Sequence, residues 1–162
     1  MGDAPAHLRE ALQALCAVGG VTAVMASPVY LTEPQGDPDQ PWFANQVARL
    51  ECAACITPEQ LLKEMLLIEH QLGRLRDAQR RYGPRVIDLD LLLFGQETRS
   101  TPDLTLPHPR MALRAFVLAP LCSLEADLVL PDGRAAADIL RALPYRIEGE
   151  RIYQSSTVET AC

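Results

Sequence analysis

An α+β fold is what this sequence predicts, on three observations. Two amphipathic stretches repeat apolar residues at the helical period. A segment rich in Val and Tyr at 21–31 and a partner at 43–52 flank a loop broken by Pro34, Gly36, Pro38 and Pro41. Residues 86–94 are almost entirely Val, Ile, Leu and Phe, which marks a strand buried on both faces of a sheet.

The first helix is expected over residues 7–18. Leu8, Ala11, Leu12, Leu15 and Cys16 recur at helical spacing, and Gly19 and Gly20 end the run. Residues 21–31 read as a strand, 32–41 as a loop and 43–52 as the partner strand. Thr57-Pro58-Glu59-Gln60 is a strong helix start, with Thr57 as cap, Pro58 in the first position and Gln60 closing a capping box. That helix should run to about Leu72, burying Leu61, Leu62, Met65, Ile68 and Leu72, and stop at Gly73. An arginine-rich loop over 74–85 leads into the strand at 86–94. The order helix, strand, strand, helix, strand is that of a ferredoxin-like unit lacking its first strand. Further on, a helix disturbed by Pro120 is expected over 111–122, a turn at Pro131-Asp132-Gly133 and a short helix over 135–143. The tail from Tyr145 is expected to be weakly structured.

The 162 residues fit one domain, large enough to bury about two thirds of its unfolded surface without staples. The formal net charge of −6 argues against nucleic acid as a partner. No long apolar run suggests a membrane span and no leader pattern precedes the first helix, so a cytoplasmic location is expected. Five cysteines, an odd number, do not make a disulfide framework; Cys52 and Cys55 form one C-x-x-C without the second pair that a zinc site wants.

The sharpest chemical signal is Asp88 and Asp90 inside the apolar strand. Residues two apart on a strand share a face, roughly 6.5–7 Å apart, so both carboxylates can reach the same cation or pair of cations. Oxygen ligation by two carboxylates, completed by water and phosphates, is how Mg²⁺ is usually held. The alternative is a pair of aspartates neutralised by arginines. Arg74, Arg76, Arg80, Arg81 and Arg85 lie just upstream, and guanidinium forks suit phosphate oxygens; a solvated loop is the other reading. His108, held between Pro107 and Pro109, has its direction set by the backbone and can donate to a phosphate or simply complete a turn. Phe43 and Asn45 share a strand face, where a ring and an amide can hold a flat heterocycle or serve as core and strand end. A P-loop and a nucleophile elbow are both missing, and the chemistry expected is metal-assisted transfer.

Together these segments resemble the 6-hydroxymethyl-7,8-dihydropterin pyrophosphokinase family. The resemblance rests on Ser27-Pro28-Val29-Tyr30-Leu31-Thr32-Glu33-Pro34-Gln35-Gly36, Gln40-Pro41-Trp42-Phe43-Ala44-Asn45, and Ile68-Glu69 with Gly73-Arg74-Leu75-Arg76. It continues through Gly83-Pro84-Arg85-Val86-Ile87-Asp88-Leu89-Asp90, Leu106-Pro107-His108-Pro109 and Arg114-Ala115-Phe116-Val117-Leu118. It implies a single-domain kinase of folate biosynthesis that moves the β,γ-diphosphate of ATP onto the pterin hydroxymethyl group and releases AMP. Two Mg²⁺ would be held by Asp88 and Asp90. Arg74, Arg76 and Arg85 would carry catalysis and, with Glu69, Thr105, His108 and Arg114, would bind ATP. The pterin would stack between Phe43 and Phe116, with Thr32, Glu33, Gln35 and Asn45 at its edge. The loops at 32–41 and 73–84 would close over the substrates. ATP and the hydroxymethyl-dihydropterin are the expected partners, and a monomer is expected. The family opens with a strand ending in Gly-Ser-Asn-Leu-Gly-Asp, whereas this chain starts at Met1-Gly2-Asp3, so that strand is expected to be missing. A truncated relative that binds pterin or nucleotide without turnover is the competing reading. An RNA-binding module is a third, supported only by the arginines.

Overall fold

The structure is a computed structural model that describes residues 4–33, 42–73 and 87–154. It is a mixed α/β architecture, and the described residues divide into two units. One unit comprises Met1–Ala26 and Ala48–Pro109, the other Ser27–Val47 and Arg110–Cys162.

In the first unit, helix α1 (Ala4–Cys16) precedes strand β1 (Val21–Ala26). Gly20 lies between them at φ +89°, a left-handed conformation that suits glycine, and its carbonyl accepts the Ala53 amide at 2.7 Å. Strand β1 pairs antiparallel with a strand at Ala48–Cys52, matching Val24 to Leu50 and Ala26 to Ala48. The helix at Pro58–Gln71 begins with the expected capping box. The Gln60 amide donates to Thr57 Oγ1 at 3.2 Å and the Thr57 amide donates to Gln60 Oε1 at 2.9 Å, so two orphan donors of the first turn are satisfied reciprocally. Leu15, Leu61, Met65 and Ile68 form the core of this unit. Val18, Val21, Val24, Leu50, Cys52, Leu72, Leu89, Leu91 and Phe94 pack against them.

The second unit carries a mixed sheet of four short strands. In chain order these are β2 (Tyr30–Thr32), β3 (Phe43–Asn45), β7 (Tyr145–Glu148) and β8 (Arg151–Gln154). The strand at Ala48–Cys52 is β4, and a hairpin in the first unit pairs β5 (Arg99–Ser100) with β6 (Thr105–Leu106). The four-stranded order is β3-β2-β8-β7, with β2 and β8 parallel and the other two pairs antiparallel. A 3₁₀ turn at Met111–Leu113 leads into a helix at Ala115–Leu124, which continues through the buried Pro120. Taking the Pro58–Gln71 helix as α2 and this one as α3, the last helix, α4, spans Ala136–Ala142. Ala115, Ala119 and Ile152 form the core here, covered by Tyr30, Phe116, Leu140, Leu143 and Tyr145.

Three sequence expectations are corrected. The two long strands expected over 21–31 and 43–52 are each broken in two. The break sits at Ser27 and Val47, where one backbone bond remains, from the Ser27 amide to the Val47 carbonyl at 2.9 Å, and side chains take the others: the Val47 amide donates to Ser27 Oγ at 3.1 Å and the Gln46 side-chain amide donates to the Ser27 carbonyl at 2.7 Å. Pro28, lacking an N–H, cannot resume the pairing. The tail expected to be weakly structured from Tyr145 instead makes a hairpin over 145–154, turned through Gly149 at φ +60°. Tyr153 meets Trp42 edge to face at 5.2 Å and Ile152 is buried. The described part of the strand expected at 86–94 joins no ladder among the described residues. It is fixed instead by packing and by bonds from outside any sheet.

Candidate functional site

Residues 87–91 alternate between core-facing and exposed positions, in place of the burial on both faces that the sequence predicts, and Phe94 packs on the α2 core as well. Ile87 is buried, while Leu89 and Leu91 turn into the α2 core. Asp88 and Asp90 are exposed on the intervening positions. Apolar side chains every second residue therefore leave the two carboxylates facing away from the core.

Two bonds hold this segment. The carboxylate of Glu69, on the last turn of α2 and only 1% exposed, accepts the Leu89 amide on Oε1 at 2.7 Å. The Leu92 carbonyl accepts the His108 amide at 2.9 Å. His108 follows the Leu106–Pro107 peptide, which is cis, and its Nε2 lies 4.0 Å from Asp90 Oδ2. Thr105 sits on β6 of the same unit, exposed. The first unit thus brings together Asp88, Asp90, His108 and, behind them, Glu69. Among the described residues no group of three or more His, Cys, Asp and Glu side chains is arranged to hold a metal. A cation here would depend on the two aspartates plus ligands from solvent or substrate, which is the donor set that Mg²⁺ accepts.

The second unit carries the remaining described candidates. Phe43 on β3 is 49% exposed although it is a large apolar ring. Asn45 donates from Nδ2 to the buried Thr32 Oγ1 at 2.7 Å and to the Phe43 carbonyl at 3.2 Å, so its amide plane is fixed. Arg114 lies over the Phe116 ring, its Cζ 5.5 Å from the ring centroid. Glu33 Oε1 accepts the Gln154 amide at 3.2 Å.

Gln154 itself was missed by sequence reasoning. It is buried; its Oε1 accepts the Ala115 amide at 2.7 Å and its Nε2 donates to the Leu113 carbonyl at 2.8 Å. Those two bonds bracket Arg114 and set the start of α3, from which Phe116 projects. The available signal was the Arg151-Ile152-Tyr153-Gln154 alternation after a glycine turn. Arg74, Arg76, Arg85 and Gln35, with the loop arginines Arg80 and Arg81, lie outside the described residues.

The described site is thus a pair of exposed carboxylates beside His108, on a mixed α/β scaffold. The family model for 7,8-dihydro-6-hydroxymethylpterin-pyrophosphokinase matches residues 1–126. Three proteins named 2-amino-4-hydroxy-6-hydroxymethyldihydropteridine pyrophosphokinase are similar to the chain. That of Pseudomonas aeruginosa is 44% identical over 139 residues, covering 86% of this chain and 83% of the relative. The Methylorubrum extorquens protein is 43% identical over 130 residues, covering 80% of each. The Haemophilus influenzae protein is 38% identical over 135 residues, covering 83% and 82%. The chain belongs to the 7,8-dihydro-6-hydroxymethylpterin-pyrophosphokinase family.

Proposed function

We propose a division of labour for a chain that, by its family, is an ATP-dependent pyrophosphokinase of folate biosynthesis. It transfers diphosphate from ATP to 6-hydroxymethyl-7,8-dihydropterin and releases AMP. The observation that supports the assignment of residues is the outward pair Asp88 and Asp90, held between the α2 core and His108.

Asp88 and Asp90 would hold Mg²⁺, two ions in our reading. Bound there, the metal supplies charge neutralisation for the triphosphate during transfer. His108, with Thr105 and Arg114, holds ATP, and Glu69 belongs to the same side. Arg74, Arg76 and Arg85 meet the phosphates and neutralise charge on the group in flight. The exposed Phe43 ring and Phe116 take the pterin face, while Asn45, Thr32, Glu33 and Gln35 meet its edge. Protein acids and bases have little to do in such a transfer; positioning and electrostatics carry it. A ferredoxin-like arrangement of the first unit completes this reading. The packing of β1, β4, α2 and residues 87–94 on one core supports it. The enzyme works as a monomer in the cytoplasm. Among the described residues no helix is long and apolar enough to cross a membrane.

AMP release from MgATP, measured with and without 6-hydroxymethyl-7,8-dihydropterin, tests the reading. Release that requires the pterin supports it. Tight pterin binding without AMP from a folded chain would establish the binder without turnover instead.

A further inference from the structure

The buried carboxylate of Glu69 is placed to act on protein backbone. It stands 1% exposed at the end of α2 and takes the Leu89 amide at 2.7 Å. Leu89 is the residue between the two aspartates, and its side chain is anchored in the α2 core. Among the described residues, 87–94 join no strand ladder, and the Leu89 and Leu92 backbone groups bond instead to Glu69 and His108. A carboxylate–amide bond is charge-assisted and shorter and stronger than a neutral one. Made in a buried setting, it ties the segment to a rigid helix with little competition from water.

We infer that Glu69 is a positioning residue for the Asp88–Asp90 pair: by clamping the Leu89 amide it fixes the direction in which both carboxylates are presented to a divalent cation. This rests on the reading that Asp88 and Asp90 hold the metal. It adds to Glu69's place on the ATP side a hold on the aspartate segment, made through one carboxylate oxygen, Oε1. Partners behind metal ligands typically matter about 10- to 100-fold in metal affinity.

The test uses the full chain and Mn²⁺ as the probe. Mn²⁺ affinity in the presence of a non-hydrolysable ATP analogue is measured by the electron paramagnetic resonance signal of free Mn²⁺. The proteins compared are wild type, Glu69→Gln, Glu69→Ala and Asp88→Ala/Asp90→Ala. Glu69→Gln keeps an acceptor oxygen for Leu89 and should stay within about threefold of wild type, while Glu69→Ala should weaken Mn²⁺ by about tenfold or more. The affinity for the analogue without metal is measured alongside, so that any loss through the ATP side of Glu69 is separated from the loss of Mn²⁺. Exchange of the Leu89 amide, followed by NMR on metal-free protein, gives a second readout that needs only the wild type and Glu69→Gln. Slow exchange in both upholds the clamp, even if Glu69→Ala fails to fold. A Leu89 amide that exchanges as fast as an open loop in folded wild type overturns it. So does a folded Glu69→Ala that binds Mn²⁺ normally but loses the analogue, which would return Glu69 to the nucleotide. If the double aspartate variant binds Mn²⁺ like wild type, the metal reading falls first and the clamp with it.

Discussion

His108 Nε2 lies 4.0 Å from Asp90 Oδ2, and the backbone of the same histidine donates to Leu92 at 2.9 Å. The backbone of His108 is therefore tied to the aspartate segment, its imidazole lies beside Asp90, and its side chain is only 16% exposed. A ring held this way can meet a phosphate bound at Asp90 without first being ordered. His108→Ala should lower kcat/KM for ATP by about 10- to 100-fold, the worth of one hydrogen bond to a charged group. Steady-state kinetics with ATP varied at saturating pterin measures this. An unchanged value would leave His108 as a turn residue.

Phe43 is about half exposed, so its ring contributes little to the core. Phe43→Ala should raise KM for the pterin by about tenfold, consistent with the loss of one stacked ring and its buried area. KM for ATP should stay within about twofold and the melting temperature should barely move. Should both KM values rise together, the ring would be supporting the fold rather than the pterin.

Gln154 joins the C-terminal strand to the start of α3 through the Ala115 amide and the Leu113 carbonyl. Gln154→Ala leaves both groups unsatisfied in a buried setting and should destabilise the protein by about 1–3 kcal/mol. The denaturant midpoint reports it. An unmoved midpoint would mean that the hairpin over 145–154 is not a structural part of its unit.

Glu59 sits in the first turn of α2, exposed. Hydrogen bonding to its own backbone amide, followed by its bond with Arg99 at 2.9 Å, holds its carboxyl below the usual range. A depressed carboxylate contributes stability above its unfolded pKa and loses it as pH falls through the folded value. Wild type should therefore melt above Glu59→Gln near neutral pH, and the difference should close as the solution is taken below the usual carboxylate range. The contribution is small because the pair is open to solvent. A difference that grows on acidification would contradict this assignment.

How much of this was legible in the sequence follows the range of the interactions. The start of α2 was legible because Thr57 and Gln60 are three residues apart and satisfy each other locally. That Asp88 and Asp90 share a face was legible from their spacing, but their exposure was not, because the apolar run read as a strand buried on both faces. The breaks at Ser27 and Val47 were not, since they arise when a serine hydroxyl takes over a strand bond from a residue 20 positions away. Glu69 is likewise 20 residues from Leu89, and periodicity on α2 says only that it is near the core, not what it holds. The final hairpin was missed because its weak alternation gains its stability from Trp42 and Ala115, far earlier in the chain. The arginine loop, so prominent as composition, lies outside the described residues and adds nothing to the geometry.

The central claim is that the outward aspartate pair carries the metal for diphosphate transfer. It is tested most directly by AMP release from MgATP and 6-hydroxymethyl-7,8-dihydropterin, comparing wild type with Asp88→Ala/Asp90→Ala at matched folded content by circular dichroism. The account predicts pterin-dependent AMP from wild type and a loss of about a hundredfold or more in the folded variant. A folded double variant that releases AMP at the wild-type rate would contradict it.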